Sequence, residues 1–113
     1  MKQITSISLA ELKQMAAKMY GSLVKADVDV VKGAVVIDMD LHSDGEAHLL
    51  EHGSKQGNIW GINIYPDKFG TEDFIEFDSM INMRPSHGNP SRDVLDGAIK
   101  AKIIQLINGA VHE

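Results

Sequence analysis

Apolar and polar residues alternate along this chain with two different periods, and the changes of period mark out its elements. Leu12, Met15, Ala16 and Met19 recur at i, i+3, i+4 and i+7, the stripe of a helix that buries one face. Ser8-Leu9-Ala10-Glu11 just before it has the spacing of a capping box, with Ile7 and Leu12 placed as the hydrophobic staple, and Gly21 ends the run. From Leu23 to Leu41 the period drops to two. Val24, Ala26, Val28 and Val30 alternate with Lys25, Asp27 and Asp29; Val35, Ile37, Met39 and Leu41 alternate with Asp38 and Asp40. This predicts a hairpin with one wet face, turning at Lys32-Gly33.

Ser43-Asp44-Gly45-Glu46 forms a second capping box and predicts a helix of about two turns, closing at Gly53. Asn58 to Tyr65 and Phe74 to Arg84 then read as another hairpin, with Trp60, Ile62, Ile64, Ile75, Phe77, Ile81 and Met83 turned inward and Pro66 to Asp73 as the loop. Asn89-Pro90 predicts the start of a third helix, whose apolar face is Leu95, Ala98, Ile99, Ile103, Leu106, Ile107 and Ala110. Gly97 would then sit inside it, at a cost of about 1 kcal/mol relative to alanine. The order αββαββα contains no βαβ crossover to force parallel strands. The expectation is one α+β domain over residues 1–113, two-layered, with a mainly antiparallel four-stranded sheet and helices on one face.

Composition narrows the function classes. A chain of 113 residues with 43% hydrophobic and 24% charged side chains can build one hydrophobic core. Without cysteine it has no disulfide, no thiolate metal site and no cysteine nucleophile. A net charge of −5 argues against duplex nucleic acid, which demands clustered Lys and Arg. No apolar run approaches the roughly 20 residues of a membrane span, and Met1 to Ser6 lacks the apolar core of a signal peptide, so a soluble, cytoplasmic protein is expected.

Three stretches carry a resemblance: Gly53-Ser54-Lys55-Gln56, Trp60-Gly61-Ile62-Asn63-Ile64-Tyr65-Pro66, and Glu76 to Ser86 continuing through Gly88-Asn89 and Ser91-Arg92. Through them the chain resembles a small family of uncharacterised prokaryotic proteins catalogued only as a domain of unknown function. The resemblance implies no activity, substrate or cofactor.

The residues themselves suggest three candidate sites. In an antiparallel hairpin the start of the first strand lies beside the end of the second, which brings Ser54, Lys55 and Gln56 next to Arg84, Ser86, His87, Asn89, Ser91 and Arg92. If that second loop runs into the third helix, its N-terminus adds unpaired amides and the positive end of the helix dipole, a setting for an anion. Capping by Asn89, a turn at Pro85 and Gly88, and pairing of Arg84 with Asp78 or Asp93 would explain the same residues structurally. His48-Leu49-Leu50-Glu51-His52 matches a zinc-peptidase spacing, yet no third ligand is assignable, and Asp44, His48, Glu51 and His52 form a polar stripe opposite Ala47 and Leu50. The predicted wet face gathers Lys25, Asp27, Asp29, Asp38, Asp40, Asn63, Glu76, Asp78, Asn82 and Arg84. It would serve either as a solvated surface or, if carboxylates converge, as a metal site. The loop Asp67 to Asp73 offers Phe69 as a contact point or a cap over the core.

The leading expectation is a non-catalytic domain that binds a small anionic or polar ligand at loops 53–57 and 84–92, with no cofactor, no resident metal and no catalytic residue. One alternative is a phosphate-ester hydrolase, using His87 or a metal on Asp27, Asp29, Asp38, Asp40 and Asp78. Another is a protein-interaction module that offers the acidic sheet face to a basic protein partner. Ligand identity and oligomeric state are not legible.

Overall fold

The computed structural model describes residues Met1–Glu113. In chain order the elements are β1 (Lys2–Ile4), β2 (Ile7–Ser8), α1 (Leu9–Met19), β3 (Val24–Asp29), β4 (Val35–Ile37), α2 (His42–Glu51), β5 (Ile59–Ile64), β6 (Ile75–Glu76), α3 (Gly97–Ala110) and β7 (Val111–His112). The Ser8 hydroxyl caps α1 by accepting the Glu11 amide at 3.1 Å. The Glu11 carboxylate does not complete the capping box and pairs with Lys2 instead. The first hairpin turns where expected, because the Asp29 carboxylate accepts the Val31 and Lys32 amides at 2.9 Å each and Gly33 supplies a φ of +77°. Leu41 rather than Ser43 precedes α2, and the Asp44 carboxylate reaches back to the Leu41 amide at 3.2 Å.

The sheet has five strands, not four, in the order β1-β4-β3-β5-β6, with every neighbouring pair antiparallel. The additional strand is β1, three residues that read only as a polar N-terminus. A separate parallel pair, β2 with β7, ties the start of α1 to the end of α3.

This order corrects the expectation that all helices share one face. The passage from β1 through α1 to β3 steps over β4, and that from β4 through α2 to β5 steps over β3. Both steps go the same way across the sheet but leave from oppositely directed strands. Crossovers of one hand therefore put α1 and α2 on opposite faces. Leu12 and Ala16 of α1 join Ile103 and Ile107 of α3 in a 17-residue core against Val28, Ile37, Trp60, Ile62 and Phe74. On the other face Leu49 of α2 meets Val36, Met39 and Ile59. The face expected to be wet is thus covered at its centre, and Asp27, Asp29, Asn63 and Asn82 are buried.

The second hairpin also departs from its pattern. After Glu76 the chain leaves the sheet, and a 3₁₀ turn at Met80–Asn82, capped by the Ser79 hydroxyl, replaces the rest of the predicted strand. Side chains then satisfy the outer edge of β5. The Asn82 amide accepts from the Gly61 N–H and donates to the Gly61 carbonyl, both at 2.9 Å, and Arg84 donates to the Ile59 carbonyl. Only glycine fits at position 61, because a Cβ there would lie 2.6 Å from Ser79 Oγ.

The third helix begins at Gly97 and not at Asn89-Pro90. Its cap is Asp96, whose carboxylate accepts the Ala98 and Ile99 amides at 2.8 and 3.1 Å. Gly97 stands at the first helical position, so the mid-helix cost does not arise. Ile103, Ile107 and Ala110 are buried, while Leu95 is exposed ahead of the helix.

Replacing Asn82 with alanine leaves both polar groups of Gly61 without partners. Urea denaturation of Asn82→Ala should show a loss of about 2–6 kcal/mol, from about 1–3 kcal/mol per unsatisfied buried group. A loss under about 1 kcal/mol would mean that another group satisfies the edge.

Candidate functional site

Across the α2 face, Lys25 of β3 lies opposite Asn63 of β5. The segment Asp78–Ile81 closes one side, the N-terminal residues Leu41, His42 and Ser43 of α2 close another, and Arg92 completes a cup of about 190 Å³. Local bonds fix these walls. Arg92 Nε pairs with the Asp78 carboxylate at 2.6 Å, and the Arg92 carbonyl accepts from the Ser79 amide at 3.1 Å and Asn82 Nδ2 at 2.9 Å. Asn63 Nδ2 donates to Glu76 Oε1 at 2.9 Å and to the Asp78 carbonyl at 3.2 Å. Both partners are acceptors, which fixes the amide orientation and leaves Asn63 Oδ1 buried without a donor.

His42 is buried, and its Nε2 meets the Ile62 carbonyl at 2.8 Å. A carbonyl only accepts, so Nε2 carries the proton. Desolvation, opposed by that bond, holds the His42 pKa below the usual histidine range, leaving Nδ1 as an acceptor near neutral pH. The cup carries the charges of Lys25 and Arg92 against that of Asp78. The first turn of α2 adds about half a positive unit, opposed by its own Asp44 carboxylate.

A second hollow, a groove of about 400 Å³, shares Met80 and Ile81 with the cup and is lined further by Glu46, Gln56, Gly57 and the run Met83–His87. Here Gln56, Arg84, Ser86 and His87 line one hollow, although the strand expected to carry Arg84 ends at Glu76. The Arg84 guanidinium stacks 4.5 Å from the Trp60 ring centroid, and its Nε and Nη1 have no partner. Burial lowers the Arg84 pKa, and Glu46 pulls the other way.

The rest of that predicted cluster disperses. Lys55 is exposed and lines neither hollow, and Ser54 is buried beneath the first hairpin turn, beside Asp29. Asn89 is a structural hub. Its Nδ2 donates to the carbonyls of Asn82, Ser91 and Asp93 at 2.8, 3.0 and 2.8 Å, and its Oδ1 accepts the Leu95 amide at 3.0 Å. Ser91 Oγ accepts the Asp93 amide at 3.0 Å. Arg92 belongs to the cup, and the expected pairing of Arg84 with Asp78 or Asp93 is replaced by Arg92–Asp78 and Lys100–Asp93. No helix N-terminus follows the loop 84–92 directly. The helix start that opens beside Arg92 is that of α2.

His48 and His52 stack at 4.3 Å between ring centroids, and no group of three or more His, Asp or Glu side chains is placed to hold a metal ion. The five carboxylates of the hydrolase alternative do not converge. Asp29 serves a turn, and its pKa stays low although burial opposes ionisation, because the Ser54 hydroxyl and the Lys32 and Val31 amides outweigh it. Phe69 meets Phe74 edge-on at 5.3 Å, and with Phe77 they line an open cleft of about 880 Å³ against Lys100 and Ile104 of α3. No helix is long and apolar enough to cross a membrane.

A family model described as "Protein of unknown function (DUF5674)" matches residues 3–110, a span that contains every residue of the cup and the groove. The chain belongs to this family. No curated protein and no solved structure matches it.

Of the ten residues lining the cup, only Lys25, Asn63, Asp78 and Arg92 were legible as site candidates; His42 and Ser79 are among those that were not. Their proximity to Gly61, where a Cβ would lie 3.0 Å from His42 Cδ2, depends on α2 crossing the sheet. The same crossing buries Asp27. Neither of its oxygens has a partner, and a Cβ on Gly45 of α2 would overlap Oδ2. Desolvation first, then the charge of Glu46, push the Asp27 pKa from 3.8 up to about 8.

Between pH 3.8 and about 8, Asp27 is protonated in the fold and ionised in the unfolded chain, so its effect on stability worsens as pH rises and is complete above about pH 8. Asp27→Asn removes that titration. From pH 5 to pH 8 its stability relative to the parent should rise by about 2–4 kcal/mol, measured by urea denaturation at each pH. A constant difference would show that Asp27 is ionised in the fold throughout.

Proposed function

We propose that this domain is a non-catalytic binding module for a small anionic or polar ligand, seated in the cup between α2 and β5. The observation that carries this reading is the convergence of Lys25, Arg92 and the α2 N-terminus on one hollow of a chain whose net charge is −5. The Asp78 carboxylate opposes them in the wall, and the Asp44 carboxylate opposes the dipole in the first turn of α2. Amides in the first turn of a helix have no intrahelical acceptor and favour an anion without reorganising. The volume of about 190 Å³ suits a ligand of a few heavy atoms rather than a nucleotide.

Arg84 supports a second seat. A guanidinium with no ion pair favours an acidic group in the groove beside Gln56, Ser86 and His87, against the Glu46 carboxylate that also lines it. Met80 and Ile81 border both hollows, so a single ligand group in either one perturbs different outer residues.

Amide-resolved NMR titration with acetate and with inorganic phosphate separates the seats. The expected result is saturable shifts, with Kd on the order of millimolar, at Lys25, Leu41–Ser43, Asn63, Asp78–Ile81 and Arg92. Lys25→Met and Arg92→Met should each weaken binding about tenfold, while Arg84→Met should not. Shifts confined to Gln56 and Arg84–His87 would transfer the site to the groove. No saturable shift in either hollow would overturn the reading.

A further inference from the structure

We infer that the cup is built for a small α-amino acid, an inference that rests on the cup being the ligand site and that names its ligand class. An anion site needs donors alone, yet this one also presents acceptors. Asn63, one of the residues that line the hollow, is buried, and its Oδ1 has nothing to accept from. Its amide cannot flip to relieve this, because Nδ2 is committed to Glu76 and the Asp78 carbonyl.

His42 adds a second acceptor. Its Nε2 proton is engaged by the Ile62 carbonyl, which leaves the Nδ1 lone pair for another group. The Asp78 carboxylate adds negative charge, since Arg92 meets it through Oδ1. Buried acceptors without donors are costly, so a ligand that brings N–H groups to them gains more here than it does in water.

A ligand that serves both sets carries a carboxylate for Lys25, Arg92 and the α2 amides, and an ammonium for Asn63 Oδ1, His42 Nδ1 and Asp78. An α-amino acid holds those two groups on one carbon. The hollow of about 190 Å³ is small, which favours a small amino acid such as glycine, alanine or serine. Leu41, Met80 and Ile81 supply an apolar wall for it.

The test compares alanine, propionate, lactate and ethylamine by NMR titration of the unmodified protein, so that no variant has to fold for the answer to be read. Alanine should bind at least about tenfold more tightly than propionate or lactate, and ethylamine at least about tenfold more weakly than alanine. Propionate or lactate binding as tightly as alanine would overturn the amino-acid inference and leave the anion site standing. If neither alanine nor propionate produced saturable shifts, both readings would fall. Asn63→Leu, once its amide spectrum shows a folded chain, should abolish the preference for alanine over propionate. A retained preference would remove Asn63 from the recognition and overturn the argument.

Discussion

The outer edge of β5 has a full-length neighbour on one side only, and the Asn82 side-chain amide stands in for the strand that is missing on the other. By bonding both the N–H and the C=O of Gly61, it reproduces the exchange a paired residue would make. Buried backbone groups without partners are too costly to leave open, so this contact fixes where the segment after β6 must lie. Asn82 Nδ2 also holds the Arg92 carbonyl, and Asn89 holds the carbonyl of Asn82. The cup and the groove are therefore two sides of one tethered segment.

That tether works because α2 lies on the same face. The crossover from β4 to β5 brings His42 and Ser43 over the sheet beside Gly61, where the absence of a side chain leaves room for Ser79 and the imidazole. It also places Asp27 in a dry position under Gly45, a carboxylic acid that stays neutral because ionising it there is too costly. Stability and site geometry thus share α2. A change that loosens this helix relieves Asp27 and dismantles the wall of the cup together.

The charge pattern of the cup follows from the same placement. Lys25 and Asn63 are cross-strand neighbours, but on an open sheet both would be fully solvated. Covered by α2 and flanked by Asp78 and Arg92, they become a set of donors and one unsatisfied acceptor within a small volume. The groove around Arg84 differs in kind, since one guanidinium dominates it and stacks on Trp60.

Local chemistry in the sequence was enough to locate α1 through Ser8, the first hairpin through Gly33, the end of α2 near Gly53, and the inward face of β5 through Trp60, Ile62 and Ile64. These features depend on neighbours within a few residues. Gln56 and Arg84 do share a hollow, but the segment tethered after β6 brings them there and not the long antiparallel strand the pattern implied. Other features depended on distant partners. Alternation records that one face of a strand is polar, not whether a helix will cover it, so Asp27 and Asn63 read as wet. Asn89-Pro90 has the form of a helix start, but its side chain was claimed by four backbone groups, and Asp96 capped the helix instead. Residue types suggested a helix start near Arg92. Only the tertiary structure decided that the helix is α2, because crossover handedness, and not sequence proximity, brings it there.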